Sequence, residues 1–256
     1  MAAPGVRLIT GLLVLLLASA ALTACRSTTF IHPPTPQQQL GLERLAQRFE
    51  KIAFFSEFSE GEHRLRKRMG PVTWHLTVTA SGDAERALVR VLHRLSKLTG
   101  LSFTKAKMPE RAVLDILIKP RPELIDHLLA DGNTNQRFIY KTLCWGRMRG
   151  QVSGRIEHIL VAIPNHLNAA EVETCLWIEI TQGLGLPNDL EDLKPSIYSD
   201  APYLTVGSLP WYDAILVQTL YDPRLQPGMS RSQAMPLARV ILKELMAKRR
   251  NTAMAS

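Results

Sequence analysis

The sequence predicts an α+β fold: a mixed, twisted sheet with one helix behind it and a second, long helix lying against it, then a mostly helical C-terminal part. Three observations carry this expectation. Runs rich in β-branched and aliphatic residues at 74–79, 112–118 and 156–164 read as strands, an amphipathic stretch at 83–99 lies between the first and the second, and a long capped helix follows the last. At 256 residues the chain has room for one core of roughly 200 residues once an N-terminal leader is set aside.

Taken in order, residues 26–39 are rich in Pro, Gln and Thr and read as a tether. Leu42, Leu45, Phe49 and Ile52 then recur at helical spacing, which predicts a helix over about 40–55. A sheet-bearing part follows over about 64–185. Trp74 to Thr79 alternates as a strand, and Asp83 opens a helix whose Leu88, Val91, Leu92, Leu95 and Leu98 share one face and which Gly100 ends. Leu101 to Thr104 and Ala112 to Ile118 are two further strands, the latter stopped by Pro120 and Pro122. A short helix is expected over 123–129 and a turn at Asp131-Gly132-Asn133, while 138–148 carries no clear period. Ile156 to Pro164 is the strongest strand. Asn168 with Glu171 then forms a capping box for the long helix. A C-terminal part over about 186–248 holds helical patterns at 209–221 and 231–248.

The N-terminus holds Arg7, an apolar run from Leu8 to Leu22, and then Leu22-Thr23-Ala24-Cys25. The run is short for a membrane span and fits a secretory signal over residues 1–24. Leu-Thr-Ala-Cys resembles the lipobox of bacterial lipoproteins, which implies cleavage before Cys25 and lipidation of its thiol. Arg26, where an Asp would retain the protein at the inner membrane, implies a Gram-negative outer-membrane lipoprotein facing the periplasm. An ordinary signal peptide or an anchor helix shares the same apolar run. Residues 25–39 would then be a lipidated tether and 40–256 a single domain. Besides Cys25 there are two thiols, Cys144 and Cys175, the number for one disulfide in an oxidising compartment; two buried free thiols fit the same spacing. The net charge is +8, about +7 without the leader, with the densest basic run at Arg64, Arg66, Lys67 and Arg68 reading as a solvated face. No zinc-finger, RNP or helix-turn-helix pattern is present, so no nucleic-acid partner is predicted.

The stretch from Cys175 to Asp189 comes closest to stating a function. Glu179 and Gln182 share a helix face, and Gly185 frees the chain to turn Asn188 and Asp189 back toward it. This layout resembles the metzincin site His-Glu-x-x-His-x-x-Gly-x-x-His, with Glu179 and Gly185 retained and Ile178, Gln182 and Asn188 at the ligand positions. Ser196-Ile197-Tyr198 stands where a matrixin-like Met-turn would, with Tyr198 at the Met position, and Leu209, Asp213, Leu220 and Tyr221 match the following helix. The resemblance implies a zincin-like fold over about Ile156 to Tyr221. A closer resemblance, carried by Glu179 to Asp189 and by Leu220-Tyr-Asp-Pro-Arg-Leu-Gln-Pro-Gly-Met229, is to DUF2927, a family of proteobacterial proteins often described as lipoproteins. It spans roughly Arg64 to Met229 and brings no activity with it.

The residues predict no metal and no cofactor. Ile178 has no donor atom and the amide oxygens of Gln182 and Asn188 are weak neutral ligands, even with carboxylates added from Asp189 and Asp200. His75, His93, His127, His158 and His166 show no ligand spacing, and Ser153 misses the nucleophile-elbow pattern. Two readings remain. One is a lipid-anchored pseudo-protease, a binding module holding an extended peptide or an envelope polymer in a cleft formed by Gln182, Asn188, Asp189, Tyr198 and Asp200. The other is a hydrolase with Glu179 as catalytic base. Gly185, Asp213 and Tyr221 have structural roles in both, and the oligomeric state is not legible.

Overall fold

The runs at 112–118 and 156–164 succeed because each places aliphatic side chains on both faces of a buried parallel sheet, whereas the run from Trp74 alternates, with Trp74 and Leu76 toward the main core and His75 and Thr77 on the other face. The protein was studied as a computed structural model, and the structure describes residues 40–55, 63–78, 82–130, 142–190, 196–199 and 209–254, with side chains to 249. Residues 1–39 with Cys25, the expected turn at 131–133, and Asp200 lie outside the described residues. Six strands form one mixed sheet: β1 Lys67–Arg68, β2 Val72–Val78, β3 Phe103–Lys105, β4 Leu114–Lys119, β5 Trp145–Gly150 and β6 Arg155–Pro164. β3, β2, β4 and β6 follow one another in parallel. β5 pairs antiparallel with the far side of β6, while β1 runs parallel to the start of β6. Ile156 pairs with both Arg68 and Gly150, and Ile159 with both Leu114 and Met148, so β1 and β4 share one side of β6 and β5 has the other.

Among the described residues six α-helices surround the sheet: α1 Leu42–Phe54, α2 Gly82–Thr99, α3 Arg121–Ala130, α4 Ala169–Gly183, α5 Trp211–Tyr221 and α6 Arg231–Met254. The side chains of Leu114, Ile116, Ile118, Ile159, Val161 and Ile163 join the main core together with Leu88, Leu92 and Leu95 of α2 and Cys175, Leu176 and Ile180 of α4. Residues of the opposite parity, Leu117, Leu160 and Ala162, pack with Trp145 against Leu124 and Leu128 of α3. The period of two thus separates a large core from a small one. Both long helices therefore lie on one face, and the helix behind the sheet is the short α3. The first turn of α3 contains Pro122, so this proline, expected only to stop a strand, also opens the helix. α1 packs against α6, where Arg231 pairs with Glu50 at 2.8 Å and Arg239 with Glu43 at 3.2 Å.

A Cys144–Cys175 disulfide, spanning 31 positions, ties the residue before β5 to the middle of α4. Closing a loop of this length stabilises the fold by about 3–4 kcal/mol in the chain-entropy treatment. Its local effect matters more here: the edge strand cannot leave the helix that lies against it.

Candidate functional site

α4 starts where the sequence says it should. The Asn168 side chain accepts from the amides of Ala170 and Glu171, and the Glu171 carboxylate accepts from the Asn168 amide, which completes the capping box. Its inward residues Val172, Cys175, Leu176 and Ile180 fix its rotation, and this puts Glu179 against β5. Glu179 is only 6 % exposed. A Cβ built on Gly146 would overlap the Glu179 carboxylate and stand 3.3 Å from its Cβ, so glycine is what lets strand and carboxylate approach. Gly146 itself is exposed. Ile178, at the first ligand position of the metzincin pattern, is half-buried against the core.

Beyond α4 the chain turns at Gly185, with φ of 127°. The turn returns Asp189, and the Gln182 amide nitrogen donates to its Oδ1 at 2.7 Å. Asn188 does not come back to this face: its side-chain amide donates to the Lys51 carbonyl of α1 at 3.3 Å. Of the two residues expected to turn back toward Gln182, Asp189 meets it and Asn188 bonds to α1 instead. The amide of Leu190 donates to the Tyr198 carbonyl at 2.6 Å, which lays the turn at 196–199 alongside this loop. Tyr198 is fully buried, and among the described residues its hydroxyl makes no hydrogen bond. Burial pushes the phenol well above its usual pKa, and the Asp213 and Asp189 carboxylates push it further. Thr181 lies beside it and opposes the rise, but the Thr181 hydroxyl donates to the Trp177 and Ile178 carbonyls instead.

The turn is held from below. Asp213, on α5 and fully buried, accepts from the Ser196 hydroxyl at 2.8 Å and from the Ile197 amide at 2.7 Å. Ser196 in turn accepts from the Tyr198 amide at 3.1 Å. Burial pushes the Asp213 carboxyl up to about 7, against the downward pull of the Ile197 and Ser196 hydrogen bonds and of Arg48.

A second buried charge lies on β1. Lys67, read from the sequence as part of a solvated basic run, is only 4 % exposed. Its ammonium donates to the carbonyls of Asp222 at 3.0 Å and Leu225 at 2.8 Å and stands 5.3 Å from the centre of the Tyr221 ring. Burial lowers its pKa to about 8, with Asp222 working the other way. The Tyr221 hydroxyl donates to the Leu184 carbonyl at 3.0 Å, so the same residue clasps the end of α4. Amides of Leu65 and Gly228 bond across to Met229 and Leu65 and close the loop over the basic segment.

These residues do not fit a zinc ion. Among the described residues no three His, Cys, Asp or Glu side chains are grouped to hold a metal, and Gln182 is engaged by Asp189. The family description that matches the chain, "Protein of unknown function (DUF2927)", covers residues 42–240. The chain belongs to the DUF2927 family. No curated protein matches it. The DUF2927 match begins at the first residue of α1 and ends within α6, so it takes in the sheet, the Glu179 helix, the Asp213-held turn and the Lys67 loop.

Within the DUF2927 fold, the two motifs that carried the resemblance have separate work. Glu179 to Asp189 brings a carboxylate against β5 and ends in the turn closed by Gln182 and Asp189, whereas Leu220 to Met229 builds a carbonyl cradle for Lys67. Sequence reasoning missed Lys67 because its partners lie more than 150 positions away; the one available signal was its alternation with Leu65, which puts both on the buried side. Lys67→Met is expected to destabilise the fold by about 2–3 kcal/mol, because the buried Leu225 carbonyl and the half-buried Asp222 carbonyl lose their donor. Urea unfolding at pH 7 checks this, and a loss under about 0.5 kcal/mol would rule out the cradle as a structural element.

Proposed function

We propose that this DUF2927 protein is a lipid-anchored binding module of the cell envelope, a zincin-like pseudo-protease that takes an extended peptide or envelope polymer along β5 without cutting it. One observation carries the reading. β5 is an antiparallel edge strand whose only strand partner among the described residues is β6, and it is clamped by the disulfide to α4, with Glu179 beneath Gly146. A strand at a sheet edge takes an extended chain through backbone hydrogen bonds and needs no metal. The element order supports the zincin-like part: strand β2, helix α2, strands β3 and β4, the short α3, the edge strand β5, strand β6, then α4 with Glu179. Glu179 stands against this strand, one helical turn before Gln182, whose side-chain amide is held by Asp189.

The test has two arms. Hydrogen exchange of the full-length protein with a mixture of extended octapeptides should slow the amides of 145–150, and mass spectrometry should recover the peptides whole. Peptides recovered cleaved, with cleavage abolished in Glu179→Gln, would instead establish the hydrolase reading. For the anchor, Cys25→Ala should leave the membrane fraction, and continued acyl labelling of that variant would refute the lipobox.

A further inference from the structure

We infer that the tip of the β5–β6 hairpin, with the basic segment beside it, docks on a bilayer surface rich in anionic lipid; this goes beyond the reading of β5 as a docking edge and does not depend on it. Backbone contacts bring three segments together at the tip. The turn Gln151-Val152-Ser153-Gly154 is closed by the Gly154 amide, which donates to the Gln151 carbonyl at 2.9 Å. Gly154, with φ of 83°, lies so close to Leu65 and Gly228 that a Cβ on it would overlap the backbone of both. The Lys67 amide donates to the Gly154 carbonyl at 3.0 Å, and the Gly228 amide to the Leu65 carbonyl at 2.8 Å. The hairpin tip, the segment before β1 and the loop that cradles Lys67 are thus locked into one surface. At its apex Val152 is 100 % exposed.

The residues around this apex are cationic. Leu65 and Lys67 are buried, while the alternating Arg64 and Arg66 are exposed and half-buried. The Arg64 guanidinium donates to the Gly228 carbonyl at 2.9 Å, which sets it beside the tip without neutralising it. Arg155, also exposed, directly follows the turn. Among the described residues no carboxylate pairs with Arg64, Arg66 or Arg155. The stretches 63–70, 150–156 and 223–230 contain no Asp or Glu. Two carboxylates that adjoin them are otherwise engaged: Glu157 accepts from Gln151 Nε2, and Asp222 pairs with Arg224 at 2.8 Å. An anionic headgroup layer attracts each such arginine within a Debye length. The basic residues alone would suit any polyanion, and Val152 decides between the two. A soluble polyanion leaves the apolar tip in water, whereas a bilayer takes it below the plane of the phosphates while the arginines stay at that level. A lone exposed valine is ordinary on a surface; one at the apex of a locked turn, beside Arg64 and Arg155, matches the layering of a membrane interface.

Hydrogen exchange of the full-length protein tests this on vesicles of phosphatidylcholine alone and of equal parts phosphatidylcholine and phosphatidylglycerol. Whatever attaches residues 1–39 to a bilayer is common to both compositions, so the difference between them reads the hairpin surface even if the anchor reading fails. The readout at 151–155 also lies outside 145–150, so it stands or falls apart from peptide addition to β5. Amides of 151–155 should exchange several-fold more slowly on the mixed vesicles, and high salt should remove the difference. Arg64→Gln and Arg155→Gln should each weaken docking about fivefold. Val152→Ser, at a fully exposed position, should weaken it about tenfold. Retention of the Cys144–Cys175 bridge and an unchanged urea midpoint confirm folding of each variant. Equal exchange on the two vesicle types overturns the proposal and returns the segment to a solvated face. Protection by soluble polyphosphate that equals that on the mixed vesicles, with Val152→Ser without effect, assigns the surface to a polyanion and overturns the bilayer.

Discussion

Asp213→Ala is expected to lower stability by about 3–5 kcal/mol, because it removes the acceptor for two buried donors at once. The Ile197 amide and the Ser196 hydroxyl both end on this carboxylate, and Ser196 then orients the Tyr198 amide. Without it the turn at 196–198 has no tie to α5. Asp213→Asn keeps one acceptor and the shape, so about 1 kcal/mol is expected there. The pH dependence separates charge from hydrogen bonding. Asp213 has a folded pKa near 7, above its unfolded value of about 3.9. Between those values the folded state holds a proton that the unfolded state has released, so stability falls as pH rises and levels off above 7. Wild-type protein should accordingly lose about 2–3 kcal/mol between pH 5 and pH 8 relative to Asp213→Asn, measured by urea unfolding of both. Parallel profiles would mean that the carboxylate titrates normally and that its burial carries no electrostatic cost.

The elements legible from the sequence were those whose own residues decide them. α2 and β6 follow from periodicity, and the start of α4 from Asn168 and Glu171. β5 was illegible because Trp-Gly-Arg-Met-Arg-Gly holds no β-branched residue and two glycines. It is a strand because β6 offers a hydrogen-bonding edge and the disulfide holds it there, a tertiary choice that overrides propensity. β1 has two residues, too few for any period. The candidate site divides in the same way. Glu179 and Gln182 are helix positions, so their shared face could be read from spacing. Whether Asn188 or Asp189 meets Gln182 depends on loop dihedrals and on the competing Lys51 carbonyl, neither of which is written in local sequence. Lys67 shows the same limit for charge: a basic run looks solvated until a distant loop supplies carbonyls.

Gly185→Ala should be comparably damaging, at about 3–5 kcal/mol, and for two independent reasons. At φ of 127° the backbone lies where side chains are strained whatever the space around them. A Cβ there would also overlap the Arg66 carbonyl oxygen and approach Leu220 Cδ2 to 3.1 Å. The first neighbour is backbone of the segment that carries Lys67, so relief requires moving the whole segment. Shifting the turn would loosen the Tyr221–Leu184 and Gln182–Asp189 hydrogen bonds together, which couples the Lys67 loop to the face beside β5. The expected fall in Tm is on the order of 10 °C. Leu220→Ala placed in the Gly185→Ala background discriminates the causes. It opens space at the side chain but leaves the Arg66 carbonyl and the dihedral untouched, so no recovery is expected. Recovery of most of the lost stability would show that the glycine is required only for packing against Leu220, and the backbone argument for this turn would fall.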